Sequence, residues 1–434
     1  DYADARRQDH HLRRVCGQPF VRSEPHPRRF RTDQLGTVLA EFIMQLLNAT
    51  PMRASYTMGL EPNGQEHVVV VVKGSFRLTH RGEELTLADE QADFVYADTF
   101  EGEPGLSAMI YESEFALRKS RCDVLLCGSA YAPAGRRARS VRATLQGAGQ
   151  FDKSSEVTGD RCWDRMLGAY VWTEATPFER QPISYGRAYG GTDSHPQRAE
   201  ESLAFVDNPV GVGYYPLTAK QSLVGRPLPN TAQPGRPIES WKERYAPMAF
   251  GPIGRNFAAR IALAGTYDDA WLDEHFPFLP PDFDFRYFQS APPDQQIPHP
   301  QGGETFVLHN LTSQGESAFR LPQLPVPVEF TTRDAEHIDV MAKLDTVIIE
   351  PDLDRVLLIW RASLPLTNSI FGVPQAIVGR MSKGFYRARA TGKQYYKSLA
   401  ELVKGAGGAA AEADDLDDEE NLDADDDTET GEAS

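Results

Sequence analysis

Three groups of closely spaced acidic residues are the first candidates for chemistry in this sequence. They are Asp268 with Asp269, Asp282 with Asp284, and Glu350 with Asp352 and Asp354. Two carboxyl groups that flank a glycosidic bond can act as general acid and general base. Each group also has a structural interpretation, respectively a helix N-terminus, hydrogen bonding within a loop and a β-turn. Because the spacing identifies none of them as buried with the raised pKa of a general acid, a carbohydrate-active enzyme or sugar-binding module is the alternative prediction.

Metal and nucleotide chemistry receive little support from the sequence. His299 and Glu304 lie five residues apart in a loop, and His309 follows one short strand later, but no third ligand is fixed. The four cysteines show no spacing typical of zinc, and no glycine-rich phosphate loop or nucleophile elbow is present. We therefore expect no metal, cofactor or catalytic residue, and a hydrogen bond from His299 to a loop carbonyl.

A stretch rich in proline and glutamine, RYFQSAPPDQQIPHPQGGE, covers residues 286–304. Its prolines fix the backbone in extended conformations and remove hydrogen-bond donors. Gln295 and Gln296 each offer a donor and an acceptor, either to neighbouring loops or to a partner protein. The favoured interpretation is a rigid crossing that ties loops together while Tyr287 and Phe288 pack inward; direct contact with a partner is the other.

Composition indicates a globular protein without a strong charge-based partner. The chain has 434 residues, of which 41% are hydrophobic, and a formal net charge of −17. Residues 412–434 alone carry 13 acidic side chains, and without them and the +2 of residues 1–43 the net charge is −6. This balance does not favour nucleic-acid binding, which needs a basic surface. No apolar run approaches the roughly 18 residues of a membrane span, and the four cysteines are expected to be reduced thiols of a cytoplasmic protein.

The pattern of strands predicts a mainly β protein, with antiparallel, sandwich-like sheets, long ordered loops rich in glycine and proline, and a few short helices. We divide the chain into five regions. They are residues 1–43, a disordered upstream extension; 44–165, an N-terminal β region; 166–303, a loop-rich region with one short helix; 304–404, a C-terminal β region with a final helix; and 405–434, a disordered acidic tail.

Four elements are predicted individually. Residues 67–80 and 83–90 read as a β-hairpin with a turn at Arg81 and Gly82, and residues 345–366 as a second hairpin with its turn at Pro351 to Asp354. Thr266 is placed as the N-cap of a helix that Pro277 ends. The spacing of apolar residues from Gly392 to Lys404 predicts a C-terminal helix.

Read together, these segments resemble a bacterial family, the domain of unknown function numbered twenty-one sixty-nine. The resemblance covers residues 44–370 and is carried, in order, by segments that include YTMGLEPNGQEHVVVVVKGSFRL, VTGDRCW, PISYGRAYGG, FGPIGR, PPDFDFRYFQSAPPDQQ, GGETFVLHNLT and DTVIIEPDLDRVLLIWRA. Its start at Met44 supports the prediction that residues 1–43 lie outside the fold. Residues 1–43 and the acidic tail depart from the family pattern.

The resemblance implies a function in type VI secretion. Members of the family are typically encoded beside VgrG spike proteins and PAAR-like tip proteins that carry toxins. The implied role is a cytoplasmic adaptor or chaperone that binds the effector, through its PAAR-like part or its toxin, and helps to load it onto VgrG, without catalysis or membrane insertion. Long loops rich in aromatic, arginine and glutamine residues suit such a binding face. The candidate partner-binding residues are Arg187, Tyr189, Trp241, Arg255, Gln295 and Gln296.

Overall fold

The apolar run from Val68 to Val72 lies at the centre of the largest sheet. The computed structural model describes residues 44–133, 136–195, 197–367, 369–393 and 395. Numbered in chain order, the seven strands of this sheet are β2 (Arg53–Leu60), β3 (Glu66–Arg77), β5 (Thr86–Leu87), β8 (Cys122–Leu126), β20 (Gln296–Ile297), β25 (Lys343–Glu350) and β26 (Arg355–Pro365). Their order is β2-β3-β26-β25-β8-β20, and β5 pairs with the end of β3.

Two further sheets pack against this one. The six-stranded sheet runs in the order β19 (Thr231–Ala232), β11 (Phe151–Thr158), β10 (Ser140–Gly147), β21 (Thr305–His309), β22 (Glu316–Arg320) and β4 (Arg81–Glu84). The four-stranded sheet runs in the order β1 (Gln45–Asn48), β27 (Gln375–Val378), β23 (Pro327–Thr331) and β24 (His337–Met341).

Short two-stranded ribbons and helical turns make up most of the remaining regular structure. The ribbons are β6 (Thr99–Phe100) with β7 (Met109–Tyr111), β9 (Gly128–Tyr131) with β14 (Arg180–Ile183), β12 (Trp163–Met166) with β13 (Ala169–Trp172), β15 (Tyr189–Gly190) with β18 (Val212–Gly213), and β16 (Thr192–Asp193) with β17 (Leu203–Ala204). Within the described residues, the α-helices are α1 (Ala258–Ile261), α2 (Asp269–Glu274) and α3 (Lys383–Ala390). Single 3₁₀ turns occur at Tyr185–Arg187, Ala199–Glu201, Thr218–Lys220, Phe285–Phe288, Pro293–Gln295, Pro351–Leu353 and Ile370–Gly372.

The main core lies between these three sheets. One face of the seven-stranded sheet contributes Val70 and Leu358, the six-stranded sheet contributes Leu145 and Phe306, and the four-stranded sheet contributes Phe330. All five side chains are buried in one cluster, so the prediction of a mainly β protein with face-to-face sheets is confirmed.

The other face of the seven-stranded sheet is also covered. Val69, Leu125 and Ile359 point to this side and pack beneath the segments at residues 92–117 and 285–291. Because both faces are buried, every residue of β3 from His67 to Phe76 is buried, although three of them are polar or charged.

One of the two predicted hairpins is confirmed, and the other is mostly wrong. β25 and β26 pair in antiparallel register around the turn at residues 351–354, as predicted. By contrast, β3 pairs with the segment after it only at Phe76 and Arg77, and β4 joins the six-stranded sheet instead. The reason is that β3 is a central strand whose two edges are occupied by β2 and β26, so a full-length hairpin partner has no room.

The predicted helix near Tyr267 exists but has a different N-cap. The carboxylate of Asp268 accepts a hydrogen bond from the backbone N–H of Trp271 at 2.8 Å, and α2 begins at Asp269. Thr266 donates its hydroxyl to Asp282 at 2.8 Å. The correction follows from geometry, because the N-cap is the residue just before the first helical turn.

Strands from the early and late parts of the chain alternate within the same sheets. The seven-stranded sheet places β3 beside β26 and β8 beside β25, and the six-stranded sheet places β10 beside β21. The regions 44–165 and 304–379 therefore form one compact unit that ends at Gly379. A second unit starts at Arg380 and contains α3, which the sequence analysis did not predict.

Several predictions fall on residues that the structure does not describe. The predicted extension at residues 1–43, the acidic tail and nearly all of the predicted helix at residues 392–404 lie outside the described residues. Within the described ranges, no helix is both long and apolar enough to cross a membrane.

Candidate functional site

Charged side chains occupy the covered face of the seven-stranded sheet. Lys73 on β3, Asp123 on β8 and Arg361 on β26 have the same parity as the apolar residues of this face, and Asp345 lies in a bulge of β25. With charged residues of the covering segments they form what we call the buried ionic layer: Lys73, Glu112, Glu114, Lys119, Asp123, Arg260, Asp345 and Arg361. All eight side chains are at most 6% exposed, and the four positive and four negative charges balance.

The first part of the buried ionic layer joins the sheet to residues 93–116. Lys73 Nζ lies 2.6 Å from Glu114 Oε1 and donates to the Asp93 carbonyl at 2.7 Å. Arg361 Nε lies 2.6 Å from Asp345 Oδ2, and Arg361 also donates to the carbonyls of Glu114 and Ala116, each at 2.9 Å. The two cations thus hold the backbone of the covering segment as well as its carboxylate.

Asp123 connects a second covering segment to the sheet. Its carboxylate lies 2.7 Å from Lys119 Nζ and accepts hydrogen bonds from the Gln289 side chain at 2.7 Å and the Ser290 backbone N–H at 2.9 Å. Lys119 also donates to the Thr346 hydroxyl at 3.1 Å. These contacts fix the position of residues 289 and 290 against β8 and β25.

Glu112 is held between two arginines. It pairs with Arg260, and Arg255 NH2 lies 2.9 Å away. Arg255 Nε also pairs with Asp98 at 2.7 Å. Burial raises the pKa of Asp98, but the hydrogen-bonded pair with Arg255 outweighs this effect, and the net pKa lies below the usual value.

A small cavity lies within the buried ionic layer. It has a volume of about 20 Å³, and its lining includes Glu112, Glu114, Lys119, Ser290 and Arg361. A cavity of this size holds about one water molecule. Burial raises the pKa of Glu114 despite the opposing influence of Lys73, so Glu114 has one property of a general acid. The space beside Glu114 is nevertheless much too small for a sugar ring, and the arrangement is suited to holding the covering segments in place.

Five of the carboxylates predicted from the sequence are engaged in structural contacts. Asp268 caps α2, Asp282 accepts from Thr266, and Asp284 pairs with Arg286 at 2.6 Å. The third group does not form one cluster. Glu350 is buried and paired with Arg355 at 2.6 Å and with the Tyr111 hydroxyl. Asp352 accepts hydrogen bonds from Ser129, Tyr131 and Arg180.

One histidine candidate, His299, lies within hydrogen-bond distance of a backbone carbonyl, as the sequence predicted. The His299 ring nitrogen Nε2 lies 3.2 Å from the Lys119 carbonyl, and Glu304 accepts the backbone N–H groups of Gln301 and Gly302. His309 lies on β21 beside Glu316. Among the described residues, no group of three or more histidine, cysteine or acidic side chains is arranged to hold a metal ion. Cys122, Cys127 and Cys162 are free thiols.

Three of the predicted partner-binding residues are engaged inside the fold. Gln295 is fully buried; its amide donates to the carbonyls of Val124 and Phe250, each at 2.8 Å, and its oxygen accepts from Lys153 at 2.8 Å. Tyr189 is 1% exposed and donates its hydroxyl to the Glu243 carbonyl. This burial corrects the expectation that Gln295 and Tyr189 contact a partner directly. Arg255 is committed to the pairs with Asp98 and Glu112.

The other three predicted residues are partly exposed and belong to separate local clusters. Arg187 donates to Asn230 at 3.3 Å, Trp241 packs edge to face against Tyr170, and the Gln296 amide donates to the Ala291 carbonyl at 2.9 Å. The structure therefore does not bring the six predicted residues together into one surface.

Two strongly exposed apolar side chains of the loop-rich region lie on a hairpin that was not predicted from the sequence. In the β12–β13 hairpin, Met166 is 61% exposed and Leu167, at the tip, is fully exposed. The base is anchored, because Trp163 is only 2% exposed and its ring packs edge to face against Trp172. The alternation of residues 163–172 around a Leu-Gly pair was the available signal.

Leu167 adopts an unusual backbone conformation for a leucine. Leu167 and Gly168 have φ values of 51° and 87°, and positive φ at both central residues is the requirement of a type I′ turn. Asparagine, aspartate and glycine normally occupy the first of these positions, because other side chains are strained there. The backbone conformation at this position therefore disfavours leucine, and the Leu167 side chain, which contacts only solvent, gains no packing that would offset this cost.

Comparison with known proteins places this architecture in a family. A family model described as "Uncharacterized protein conserved in bacteria (DUF2169)" matches residues 63–361. The chain belongs to the DUF2169 family. The residues matched by the DUF2169 model include the whole buried ionic layer and the β12–β13 hairpin. No curated protein and no solved structure matches the chain.

Proposed function

We propose that this DUF2169 protein is a cytoplasmic adaptor that binds a type VI secretion effector and helps to load it onto the VgrG spike. The observation that carries the proposal is the β12–β13 hairpin, whose anchored base presents Met166 and Leu167 to solvent. Exposed apolar side chains on a rigid element are typical of protein-binding surfaces. The buried ionic layer supports the same function, because it makes the scaffold rigid while its charged groups remain paired with one another.

The exposed tip of the β12–β13 hairpin is large enough to fill one apolar groove on a partner protein. Met166 and Leu167 can insert into an apolar groove of the effector, either in its PAAR-like part or in its toxin, while the neighbouring exposed Asp164 and Arg165 contact the polar rim of that groove. An interface centred on two such side chains is moderate in area, which suits an adaptor that releases its cargo.

Co-expression with the effector encoded beside this protein tests the proposal. We expect the effector to co-purify and its soluble yield to rise. The substitution Leu167→Asn removes the apolar tip and is expected to lower the affinity at least tenfold, which corresponds to about 1.4 kcal/mol. The matched control is Leu106→Asn, because Leu106 is similarly exposed, at 68%, but lies in the loop between β6 and β7.

Two results would count against the proposal. If the effector neither co-purifies nor gains solubility, the adaptor function is wrong. If the effector binds and Leu167→Asn binds as tightly as Leu106→Asn, the adaptor function survives but the hairpin is not its binding surface.

A further inference from the structure

Strand β2 forms one edge of the seven-stranded sheet. Its eight residues pair with β3 on one side, and no strand of the described residues pairs with it on the other side. The Leu366 N–H donates to the Glu66 carbonyl, so Glu66 faces β26 and the next residue, His67, faces β2 opposite Gly59. Hydrogen-bonding direction alternates along an antiparallel strand. The backbone groups that point to the open edge are therefore those of Ala54, Tyr56, Met58 and Leu60.

This edge lacks the features that usually prevent edge-to-edge pairing. The strand contains no proline or lysine, its pairing with β3 has no bulge, and Met58 and Leu60 are 40% and 37% exposed. Among the described residues, the hydrogen bond made to the outward backbone groups comes from the neighbouring Thr57 hydroxyl, which donates to the Met58 carbonyl at 3.4 Å. An open edge of this length is suited to accept another strand.

The sequence of β2 is complementary to itself in one antiparallel register. If Thr57 lies opposite Thr57 of a second copy on a two-fold axis, the outward hydrogen-bonded pairs become Ala54 with Leu60 and Tyr56 with Met58. Apolar and aromatic side chains then meet on one face of the joined sheet, and two threonines meet on the other face, which are favourable cross-strand pairs.

The same register also matches opposite charges. Arg53, at the start of β2, lies opposite Glu61 of the other copy, and the two-fold axis repeats this pair. The Arg53 side chain is 54% exposed and contacts Asp93 at 3.1 Å, whereas Glu61 is 19% exposed and lies 2.8 Å from Arg118. A partner strand without this charge order would place like charges together or would not form these two cross-strand pairs.

We propose that β2 is an interface at which two copies of this chain pair edge to edge and join their seven-stranded sheets into one continuous sheet. The interface is isologous, since each copy contributes the same strand. It is separate from the β12–β13 hairpin, and it does not depend on the adaptor function.

A charge exchange tests the proposed interface. Light scattering of the full chain, over a wide range of concentrations, is expected to show a mass that rises from 48.2 kDa towards twice that value. Arg53→Glu places two glutamates opposite each other, and Glu61→Arg places two arginines opposite each other, so each variant alone is expected to stay monomeric. An equal mixture of the two variants matches both pairs again, as does the double variant, and both are expected to dimerise.

Substitution of an apolar residue of β2 provides an independent check, because it does not change the pair of Arg53 with Glu61. Met58→Lys places a charge opposite Tyr56 and is expected to abolish dimerisation. The matched control is Met341→Lys, because Met341 is also exposed, at 56%, and ends the edge strand β24 of the four-stranded sheet. Thermal unfolding of each variant verifies that it is folded.

The proposal is overturned by any of three results. The first is a wild-type chain that remains monomeric at every concentration. The second is a Met58→Lys variant that dimerises as well as Met341→Lys. The third is a mixture of folded charge variants that fails to dimerise. A dimer that withstands all substitutions in β2 would place the interface elsewhere.

Discussion

Gln295 connects three parts of the protein through one amide. Its Nε2 donates to a carbonyl of β8 and to the Phe250 carbonyl, and its oxygen accepts from Lys153 on β11. After Gln295→Ala, Lys153 keeps its ion pair with Asp294, and the Phe250 carbonyl keeps the hydrogen bond from the Leu126 N–H. The substitution nevertheless removes three buried hydrogen bonds, each worth about 1 kcal/mol. We therefore expect the free energy of unfolding, measured in denaturant, to fall by about 3 kcal/mol.

The neighbouring glutamine is a matched control for this prediction. Gln296 is only half-buried, and its amide makes one hydrogen bond, to the Ala291 carbonyl. We expect Gln296→Ala to lower the free energy of unfolding by about 1 kcal/mol or less. Equal effects of the two substitutions would show that the hydrogen bonds of Gln295 to three separate segments do not contribute more to stability than the single hydrogen bond of Gln296.

The pair of Asp98 with Arg255 predicts a specific pH dependence. The pKa of Asp98 is lowered in the folded protein, so its ionised form stabilises the fold above the unfolded-state pKa of 3.8, and this stabilisation is lost as the pH falls through the folded-state value. We expect the difference in unfolding free energy between wild type and Asp98→Asn to stay constant above about pH 5 and to shrink below about pH 4.

An exposed ion pair provides the comparison for this pH dependence. Asp89 pairs with Arg77 at the surface, with side chains 92% and 63% exposed, and such pairs contribute little to stability. Asp89→Asn should differ little from wild type at any pH. A difference for Asp98→Asn that keeps growing as the pH falls below about 4 would contradict the assignment.

Individual charged residues were the part of the site that sequence reasoning missed. The sequence shows Lys73, Asp123 and Arg361 as single charges inside apolar strands, but it does not show which of them approach one another. Their partners come from segments up to several hundred residues away, as when Arg361 donates to the carbonyls of Glu114 and Ala116. The periodicity of a sequence predicts on which face of a strand a side chain lies. The ion pairs that this side chain makes depend on which strands and loops become its neighbours in the fold.

At the scale of elements, the β12–β13 hairpin is expected to be more stable with a polar tip. Leu167→Asn creates an Asn-Gly pair, the preferred sequence for two central residues with positive φ. Relief of the strained leucine backbone should raise the free energy of unfolding by about 0.5 to 1 kcal/mol. Chemical denaturation of wild type and variant measures this change.

Leu106→Asn serves again as the control for Leu167→Asn, since it removes an exposed leucine elsewhere and should leave the stability within about 0.5 kcal/mol of wild type. A loss of stability in Leu167→Asn would mean that the leucine packs against the protein itself. In that case, the exposed tip would no longer support a binding role.

The predictability of each element depended on how local its pairing is. The hairpin of β25 and β26 was predicted because its turn and both strands are contiguous in the sequence. The predicted pairing of β3 with the segment after it failed because the strongest partners of β3 are β2 and β26, and β26 lies far along the chain. The helix α2 was predicted from its turn residues, and the cap was misplaced by two positions.

At the scale of the whole molecule, the interleaving of early and late strands predicts a single unfolding transition. Residues 44–379 belong to one compact unit in which the largest sheets draw strands from both ends. We expect a chain of these residues to unfold with a calorimetric enthalpy equal to the van't Hoff enthalpy. Two transitions, one for the region 44–165 and one for the region 304–379, would contradict this prediction.

Fold class was visible in the sequence, but the arrangement of sheets was not. The frequent short strands and turns identified a mainly β protein, and the density of glycine and proline predicted a loop-rich region at residues 166–303. The parallel pairing of β8 with β25 joins strands about 220 residues apart. No local pattern specifies such a pair, because its register is set by packing on both faces of the sheet.

The position of β3 beside β26 has a consequence for the protein while it is being made. Roughly 280 residues separate the two strands, so a ribosome that adds about 5 to 20 residues per second needs roughly 15 to 60 seconds to supply the second strand. During that time the run from Val68 to Val72 lacks its principal neighbour and most of its cover. The nascent chain therefore carries a strongly aggregation-prone segment early, and folding should depend on factors that shield it until synthesis is almost complete.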